Sequence, residues 1–174
     1  MIFLGIGAFL LFALGDANDA YIKNKLLKLC FPVGLCILAL ATYLRADVSA
    51  GVSAVWCLIA GLFLLAELYA LFGAFPAGET YVETDSRRNV CTTGVYALCR
   101  HPGVLFFIGL YVCLSLGINL PWTDTAVYCI LDIALVAFED VCTFPIVLGG
   151  YDEYKKSTPF LIPNINSVKK MLSR

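Results

Sequence analysis

Four acidic side chains interrupt long apolar stretches of the sequence, and packing alone does not explain them. They are Glu67, Asp132, Glu139 and Asp140. An ionisable group inside a bilayer is costly, so each of the four is a candidate functional residue. Asp132 and Glu139 stand seven residues apart, which places them on one face of a helix. We therefore expect a polar stripe that runs from the aqueous boundary into the apolar region.

A basic turn, Arg100-His101-Pro102, stands immediately before another apolar stretch. Proline is favoured in the first turn of a helix, where its missing N–H is not needed, so a helix is predicted to begin here. The exposed N–H groups at such a helix start favour a nearby carboxylate. Glu139 is the partner that we expect for Arg100. Two interpretations stay open: a charged pair that takes part in a reaction, and a pair that only fastens two helices together.

Aromatic and proline residues follow the acidic pair towards the C-terminus. Tyr151 and Tyr154 are three residues apart, and Pro159–Pro163 is an apolar segment bracketed by two prolines. Because proline cannot continue a helix, this segment is expected to form an irregular clasp. Tyrosines beside a membrane commonly mark only the interface with water. The two tyrosines are therefore candidates either for ligand binding or for interfacial anchoring.

Apolar helices are expected to carry these residues and to hold them in position. The chain of 174 residues is 60% apolar and only 14% charged, against about 25% charged residues in soluble proteins. A helix needs about 20 residues to cross a bilayer. Five stretches are assigned as spans: Ile2–Leu14, Leu26–Leu44, Val48–Phe75, Gly103–Leu120 and Ala126–Leu148. We predict an all-α polytopic membrane protein, a single domain over residues 1–174 with a short cytosolic C-terminal segment.

The distribution of Lys and Arg sets the predicted orientation, because these residues are retained on the cytoplasmic side. Ile2–Leu14 is short for a span and has some likeness to a signal peptide. If all five stretches cross the membrane, however, eleven of the 12 Lys and Arg residues fall on one side and Arg45 alone falls on the other. We therefore predict that the N-terminus lies outside and that the polar clusters face the cytosol.

Several classes of function are excluded by charge and motif content. A formal net charge of −1 provides no basic field for nucleic acid. The eight cysteines form no C-x-x-C pair and His101 is the single histidine, so no metal site is expected. The sequence also contains no Gly-rich phosphate loop and no Ser/His/Asp spacing.

Two parts of the chain together resemble a known motif of membrane enzymes. Thr93-Gly94-Val95-Tyr96 followed by Arg100-His101-Pro102 is similar to the signature of the isoprenylcysteine carboxyl methyltransferase and phospholipid methyltransferase superfamily. In that family an acidic pair, a Y-x-x-Y segment and a proline-bracketed clasp follow. The corresponding segments here are Glu139-Asp140, Tyr151–Tyr154 and Thr158–Pro163. The resemblance covers residues 92–163 as a methyltransferase core, and residues 1–75 are left as N-terminal transmembrane helices.

The resemblance implies an integral membrane enzyme that transfers a methyl group from S-adenosylmethionine to a lipid-like or membrane-partitioned acceptor. It implies catalytic roles for Arg100 and Glu139. We assign Glu67 and Asp132, as ionisable residues in apolar stretches, to the channel through which the acceptor enters. The cofactor-binding residues that the resemblance implies are Tyr96, Arg100, His101, Pro102, Glu139, Asp140, Tyr151 and Tyr154. The cofactor would enter from the cytosol and the acceptor from the lipid, so that the two meet at the interface.

Two other functions remain as alternatives. Sterol reductases that use NADPH carry a similar Arg-His-Pro motif, although Gly103 and Val104 stand where those longer chains have asparagine and tyrosine. A non-catalytic membrane scaffold or small transporter is the second alternative. Polar stripes on several helices or repeated halves would favour it, and the sequence shows neither.

Overall fold

The computed structural model describes residues 1–73 and 88–172, and most of this part of the chain is helical. The predicted all-α class is confirmed, apart from two strands of two residues each. The helices are α1 (Ile2–Ala17), α2 (Cys30–Arg45), α3 (Ala54–Leu68), α4 (Pro102–Ile118), α5 (Trp122–Phe138), α6 (Phe144–Val147), α7 (Tyr151–Ser157) and α8 (Ile165–Leu172). The strands β1 (Arg88–Asn89) and β2 (Leu148–Gly149) pair in parallel.

Within the described residues, three helical segments are long and apolar enough to cross a membrane. They are Ile2–Ile22, Leu26–Arg45 and Ala54–Phe72, and the apolar helix Pro102–Ile118 is slightly shorter. Large apolar side chains on these helices point away from the protein, as at Leu58, which is 73% exposed. Such a surface suits lipid rather than water.

Contacts between helix ends show that successive long helices run in opposite directions. At one end Arg45 of α2 forms an ion pair with Asp124 of α5, with N–O distances of 2.7 and 3.0 Å. At the same end the backbone N–H of Ser53 donates to Gly117 O, which lies near the end of α4. The opposite end joins α1 to the residues after α5, where the Tyr21 hydroxyl donates to Cys142 O at 2.6 Å.

The long helices pack in the order α2, α1, α5, α4, α3. The core lies between α1, α4 and α5 and contains an aromatic cluster formed by Phe9, Phe12, Phe107, Tyr111 and Tyr128. Among the described residues, α2 and α3 make no extensive contact with each other, although they are the two ends of this row. A space is therefore left between them, closed on the other sides by the remaining helices.

Two glycines allow the helices to approach closely. A Cβ atom on Gly34 of α2 would lie 2.6 Å from the ring of Phe12, and one on Gly109 of α4 would lie 2.5 Å from the ring of Phe63. Real Cβ atoms do not come this close, so an alanine at either position would push the helices apart. The tight contacts of α1 with α2 and of α3 with α4 depend on these residues.

Helix boundaries differ from the predicted ones at several places, and three of the differences involve a change in the type of turn. The first helix continues past Leu14 through a π-helical turn, Asn18–Ile22. The third begins at Ala54 and not at Val48, because Asp47 accepts a hydrogen bond from Ser49 N and holds a short turn there. The fifth stretch is broken by the π-helical turn Glu139–Thr143.

The C-terminal residues fold back as short helices. A two-residue strand, β2, precedes α7, which carries both tyrosines of the Y-x-x-Y segment. Asn164 and Ser167 cap α8 reciprocally, since Ser167 N donates to Asn164 Oδ1 at 2.8 Å and Asn164 N donates to Ser167 Oγ at 3.0 Å. Ile165 and Leu172 on α8 are exposed, as in an amphipathic helix that lies on a membrane surface.

Candidate functional site

The proline-bracketed segment holds the backbone of the basic turn. Arg100 N donates to Pro159 O at 2.9 Å, and His101 N donates to Phe160 O at 3.3 Å. Pro102 begins α4 in the first-turn position, as predicted. The turn and the clasp, which are far apart in sequence, thus form one unit that fixes the side chains of Arg100 and His101 at the start of α4.

Asp140 is the centre of the charged cluster. Its Oδ1 accepts a hydrogen bond from the Tyr151 hydroxyl at 2.6 Å, and lies 3.2 Å from Arg100 Nε and 3.3 Å from His101 Nε2. Its Oδ2 lies 2.8 Å from Lys155 Nζ. The expected pairing of Arg100 with Glu139 is wrong, because the partner of Arg100 is the neighbouring carboxylate, Asp140. With four donors around it, Asp140 is held in its charged form.

Glu139 has a different environment from Asp140. Its Oε2 lies 3.8 Å from His101 Nδ1, which is too far for a hydrogen bond. The Glu139 side chain instead shares a hydrogen bond with Asp16 from the end of α1. The sequence prediction missed Asp16 because the first apolar stretch was ended at Leu14. An acidic residue directly after that stretch was the signal that could have identified it.

His101 is enclosed by aromatic rings. Its imidazole stacks on Phe144, with ring centroids 5.6 Å apart, and meets the edge of Phe160 at 5.1 Å. Burial lowers the pKa of His101 to about 4, even though Asp140 acts in the opposite direction. The ring is therefore neutral near pH 7, and a neutral ring that donates from Nε2 to Asp140 presents the lone pair of Nδ1 towards Glu139.

The three tyrosines expected at the site all lie there, and their hydroxyl groups bind protein atoms. Tyr96 donates to Ala70 O at 3.0 Å, and Tyr154 donates to Tyr96 O at 2.7 Å. Tyr151 donates to Asp140, as described above. Burial raises the pKa of each phenol above its usual value, so all three remain protonated donors. The hydroxyls thus hold the site together, while the rings form part of a cavity wall.

One cavity of about 700 Å³ connects this cluster with the apolar interior of the helix bundle. At one end it is lined by Arg100, His101, Glu139 and the rings of Tyr151 and Tyr154. Its other walls are apolar residues of α1, α2 and α4: Phe9, Phe12, Leu35, Leu38, Phe107, Leu110 and Leu114. The volume lies within the range of about 300–1,000 Å³ that is usual for ligand sites. The gap between α2 and α3 opens into this cavity, and each of the two helices lines the cavity from its own side of the gap.

Glu67 of α3 and Asp132 of α5 also line this cavity, together with Asp16 and Glu139. The two residues that were predicted to form a stripe, Asp132 and Glu139, thus line the same cavity, whereas Asp140 points into the ionic cluster. A Cβ atom on Gly103 would lie 3.1 Å from Glu67 Oε1. The Glu67 carboxyl group thus lies against the first turn of α4.

Three buried polar groups on the cavity wall have no hydrogen-bond partner within the described part of the chain. They are Arg100 Nη1, Glu67 Oε2 and Asp132 Oδ2. Arg100 Nε is close enough to Asp140 for an ion pair but is not aligned for a hydrogen bond. Buried polar groups are normally paired, so unpaired ones in a cavity indicate positions that a polar ligand can satisfy.

The comparisons with known proteins give no family for this chain. No family model matches the sequence, no curated protein matches it, and no solved structure matches the fold. The functional argument therefore rests on the motif residues and on the geometry described above.

Proposed function

We propose that this chain is an integral membrane methyltransferase that transfers a methyl group from S-adenosylmethionine to a lipid-like acceptor. The observation that carries the proposal is the cavity in which Arg100, His101 and Glu139 share walls with apolar residues of α1, α2 and α4. A polar cofactor and a lipid-soluble acceptor can react only where a polar surface adjoins an apolar one. The motif resemblance supplies the chemistry, and the cavity supplies a place for it.

The residues at the polar end suit the functional groups of S-adenosylmethionine. Arg100 Nη1 is a buried guanidinium donor with no hydrogen-bond partner in residues 1–73 and 88–172, and it suits the carboxylate of the methionine part. Glu139 and Asp16 suit its ammonium group, and the rings of Tyr151 and Tyr154 suit the adenine base. When bound, S-adenosylmethionine supplies an electrophilic methyl group on a positively charged sulfur.

The protein's contribution to such a reaction is positioning and the exclusion of water. Methyl transfer requires the nucleophile in line with the carbon–sulfur bond, so correct placement removes much of the barrier. Neutral His101 adds no positive charge beside a sulfonium ion, and the charge of Arg100 is offset by Asp140. The apolar walls keep water out of the region where the acceptor would lie.

The proposal includes a topology in which all five long helices cross the membrane. The N-terminus lies outside, and the ends that carry Arg100 and Asp140 face the cytosol, as the eleven-to-one distribution of Lys and Arg indicates. The acceptor enters from the lipid through the gap between α2 and α3. Both helices line the cavity at this gap.

Calorimetric titration of the purified protein in detergent tests the proposed cofactor. Calorimetry is suitable because both tryptophans, Trp56 and Trp122, lie at the first turns of α3 and α5, at the opposite end of the bundle. We expect binding of S-adenosylmethionine and no binding of NADPH. Arg100→Lys keeps the positive charge near Asp140 but removes the planar donor group, and we expect it to weaken cofactor binding at least tenfold.

Lys156→Met is the matched control, because Lys156 is exposed and its ion-pair partner among the described residues, Glu153, is exposed as well. It is expected to leave cofactor binding unchanged. Incubation with methyl-labelled S-adenosylmethionine and a lipid extract then tests transfer directly. Binding of NADPH together with no binding of S-adenosylmethionine by folded protein would contradict the proposal and favour the reductase alternative.

A further inference from the structure

The described walls of the cavity carry more acidic than basic side chains. Among the described residues, five carboxyl groups line it: Asp16, Asp19, Glu67, Asp132 and Glu139. Arg100 and His101 are the basic residues on its described walls. Arg100 is already balanced by Asp140, and His101 is neutral. The walls therefore carry an excess of groups that attract positive charge.

Two of these carboxyl groups each have an oxygen atom that no described residue binds. Glu67 Oε2 and Asp132 Oδ2 are inaccessible to solvent and lack a hydrogen-bond partner in the described chain. The two groups are also close enough to repel each other electrostatically. Leaving a buried polar atom unpaired is unfavourable, and repulsion between the two groups opposes the ionisation of both at once. A ligand with a positive charge and N–H donors would relieve both.

The position of Glu67 defines where the head group of such a ligand would lie. Glu67 contacts the first turn of α4 at Gly103, next to the polar end of the cavity. The N-terminus of a helix favours a negatively charged side chain, and a cationic ligand beside Glu67 would favour the ionised form of its carboxyl group. From this point the apolar walls formed by Phe12, Leu38 and Leu110 continue into the bundle. A cationic head at Glu67 and Asp132 therefore leaves an apolar chain in apolar surroundings.

We propose that the acceptor is a lipophilic amine, a single-chain cation without carboxylate or phosphate, whose ammonium group is bound by Glu67 and Asp132. The assignment of this amine as the methyl acceptor rests on the proposed function, whereas its binding does not. A carboxylate acceptor would be repelled by the acidic walls, and so would the phosphate of a phospholipid head group. Neither finds a basic partner beyond Arg100 on the described walls.

The same two carboxylates can accept the proton that the reaction must release. An ammonium ion has no free electron pair, so it first gives one proton to a carboxylate of the pair. The amine nitrogen then forms a bond to the methyl carbon, the carbon–sulfur bond breaks, and its electron pair stays on sulfur. The product is a methylammonium ion and a neutral thioether, and the carboxyl group returns its proton to water.

Binding of four amphiphiles in the absence of cofactor tests the proposal. The probes are tetradecylamine, tetradecanol and myristate, which share one chain length, and phosphatidylethanolamine. Binding to the protein in nonionic detergent is measured by equilibrium dialysis or calorimetry. We expect tetradecylamine to bind at least tenfold more tightly than any other probe. Equal or tighter binding of myristate or phosphatidylethanolamine would overturn the proposal.

Two isosteric variants locate the head group. Glu67→Gln and Asp132→Asn each replace a carboxyl group that can ionise by an amide that cannot. Each is expected to weaken tetradecylamine binding at least tenfold without changing tetradecanol binding. Asp152→Asn is the matched control, because Asp152 is exposed on α7, and it should leave all four affinities unchanged. Unchanged amine binding in both cavity variants would show that the charge is recognised elsewhere and would overturn the assignment.

A methyl-transfer assay distinguishes a wrong assignment of the acceptor from a wrong assignment of the enzyme activity. With labelled S-adenosylmethionine, the proposal expects label in tetradecylamine and none in myristate. Label in myristate but not in the amine would overturn the amine acceptor while leaving a methyltransferase. Amine binding with no labelled product from any probe or lipid extract would contradict the proposed function and the acceptor role together, and would leave only the binding of a lipophilic cation.

Discussion

Asp140 and Glu139 are neighbouring carboxylates, and we expect the first to stabilise the fold and the second to act in the reaction. Replacing Asp140 by Asn tests its structural role. Asp140 and Arg100 are both deeply buried, with side chains 6% and 9% exposed, so Asp140→Asn leaves the guanidinium charge of Arg100 without its counter-charge. Removing one partner of a buried ion pair typically costs about 3–5 kcal/mol. The contact with Lys155 adds little, because Lys155 is 38% exposed and exposed pairs contribute about 0–1 kcal/mol. We expect a loss of about 3 kcal/mol in the free energy of unfolding.

Glu139→Gln, at the neighbouring position, is the variant with which the stability of Asp140→Asn is compared. Glu139 has no Lys or Arg within ion-pair distance in the described chain, and its closest basic group is neutral His101. We therefore expect Glu139→Gln to change the free energy of unfolding by less than about 1 kcal/mol. If Glu139 contacts the cofactor, this variant should still lower methyl transfer at least tenfold, which corresponds to about 1.4 kcal/mol of transition-state stabilisation.

Denaturant unfolding in mixed micelles, followed by circular dichroism, measures both effects. A double-mutant cycle should give a coupling energy above about 1 kcal/mol for Arg100 with Asp140 and close to zero for Arg100 with Glu139. Asp152→Asn serves again as an exposed control. The reasoning would be refuted by equal losses of stability in Asp140→Asn and Glu139→Gln, or by strong coupling of Arg100 to Glu139.

Two further predictions concern topology and pH. Cysteines introduced at the exposed positions Ser49 and Ser157 should react with a membrane-impermeant maleimide from the outside and from the cytosolic side respectively; labelling of both from one side contradicts the five-span topology. The contribution of His101 to the free energy of unfolding should be lost as the pH falls from 6.5 to 4, because the unfolded chain binds a proton at His101 in this window and the folded chain does not. The contribution is up to about 3 kcal/mol, and His101→Asn should remove it; an unchanged pH dependence of unfolding in that variant would show that another group titrates.

The choice of Arg100's partner shows where the sequence could not decide. Glu139 and Asp140 are adjacent, and adjacent residues on a helix point about 100° apart, so the helix surface that faces Arg100 determines which one forms the pair. That surface is set by the π-helical turn Glu139–Thr143, which precedes Pro145. Periodicity extended as a regular helix through this region could not predict the change in direction.

The remaining parts of the ionic cluster depend on elements that pack against each other from distant parts of the chain. Tyr151 and Lys155 reach Asp140 from α7, and Asp16 reaches Glu139 from the end of α1. No spacing in the sequence encodes these contacts, because they result from how helices pack. The gap between α2 and α3 is likewise a property of the bundle and not of either helix.

The helical class, the apolar stretches and the start of α4 at Pro102 were predictable from the sequence, since composition and proline geometry act locally along the chain. Glu67 and Asp132 could also be identified as unusual, because the cost of a charge in apolar surroundings is known without coordinates. The carboxylate that neutralises Arg100, and the carboxyl groups that face the cavity, were not predictable in this way. A charged group pairs with whatever lies within a few ångströms of it, and the packing of the helices sets those distances.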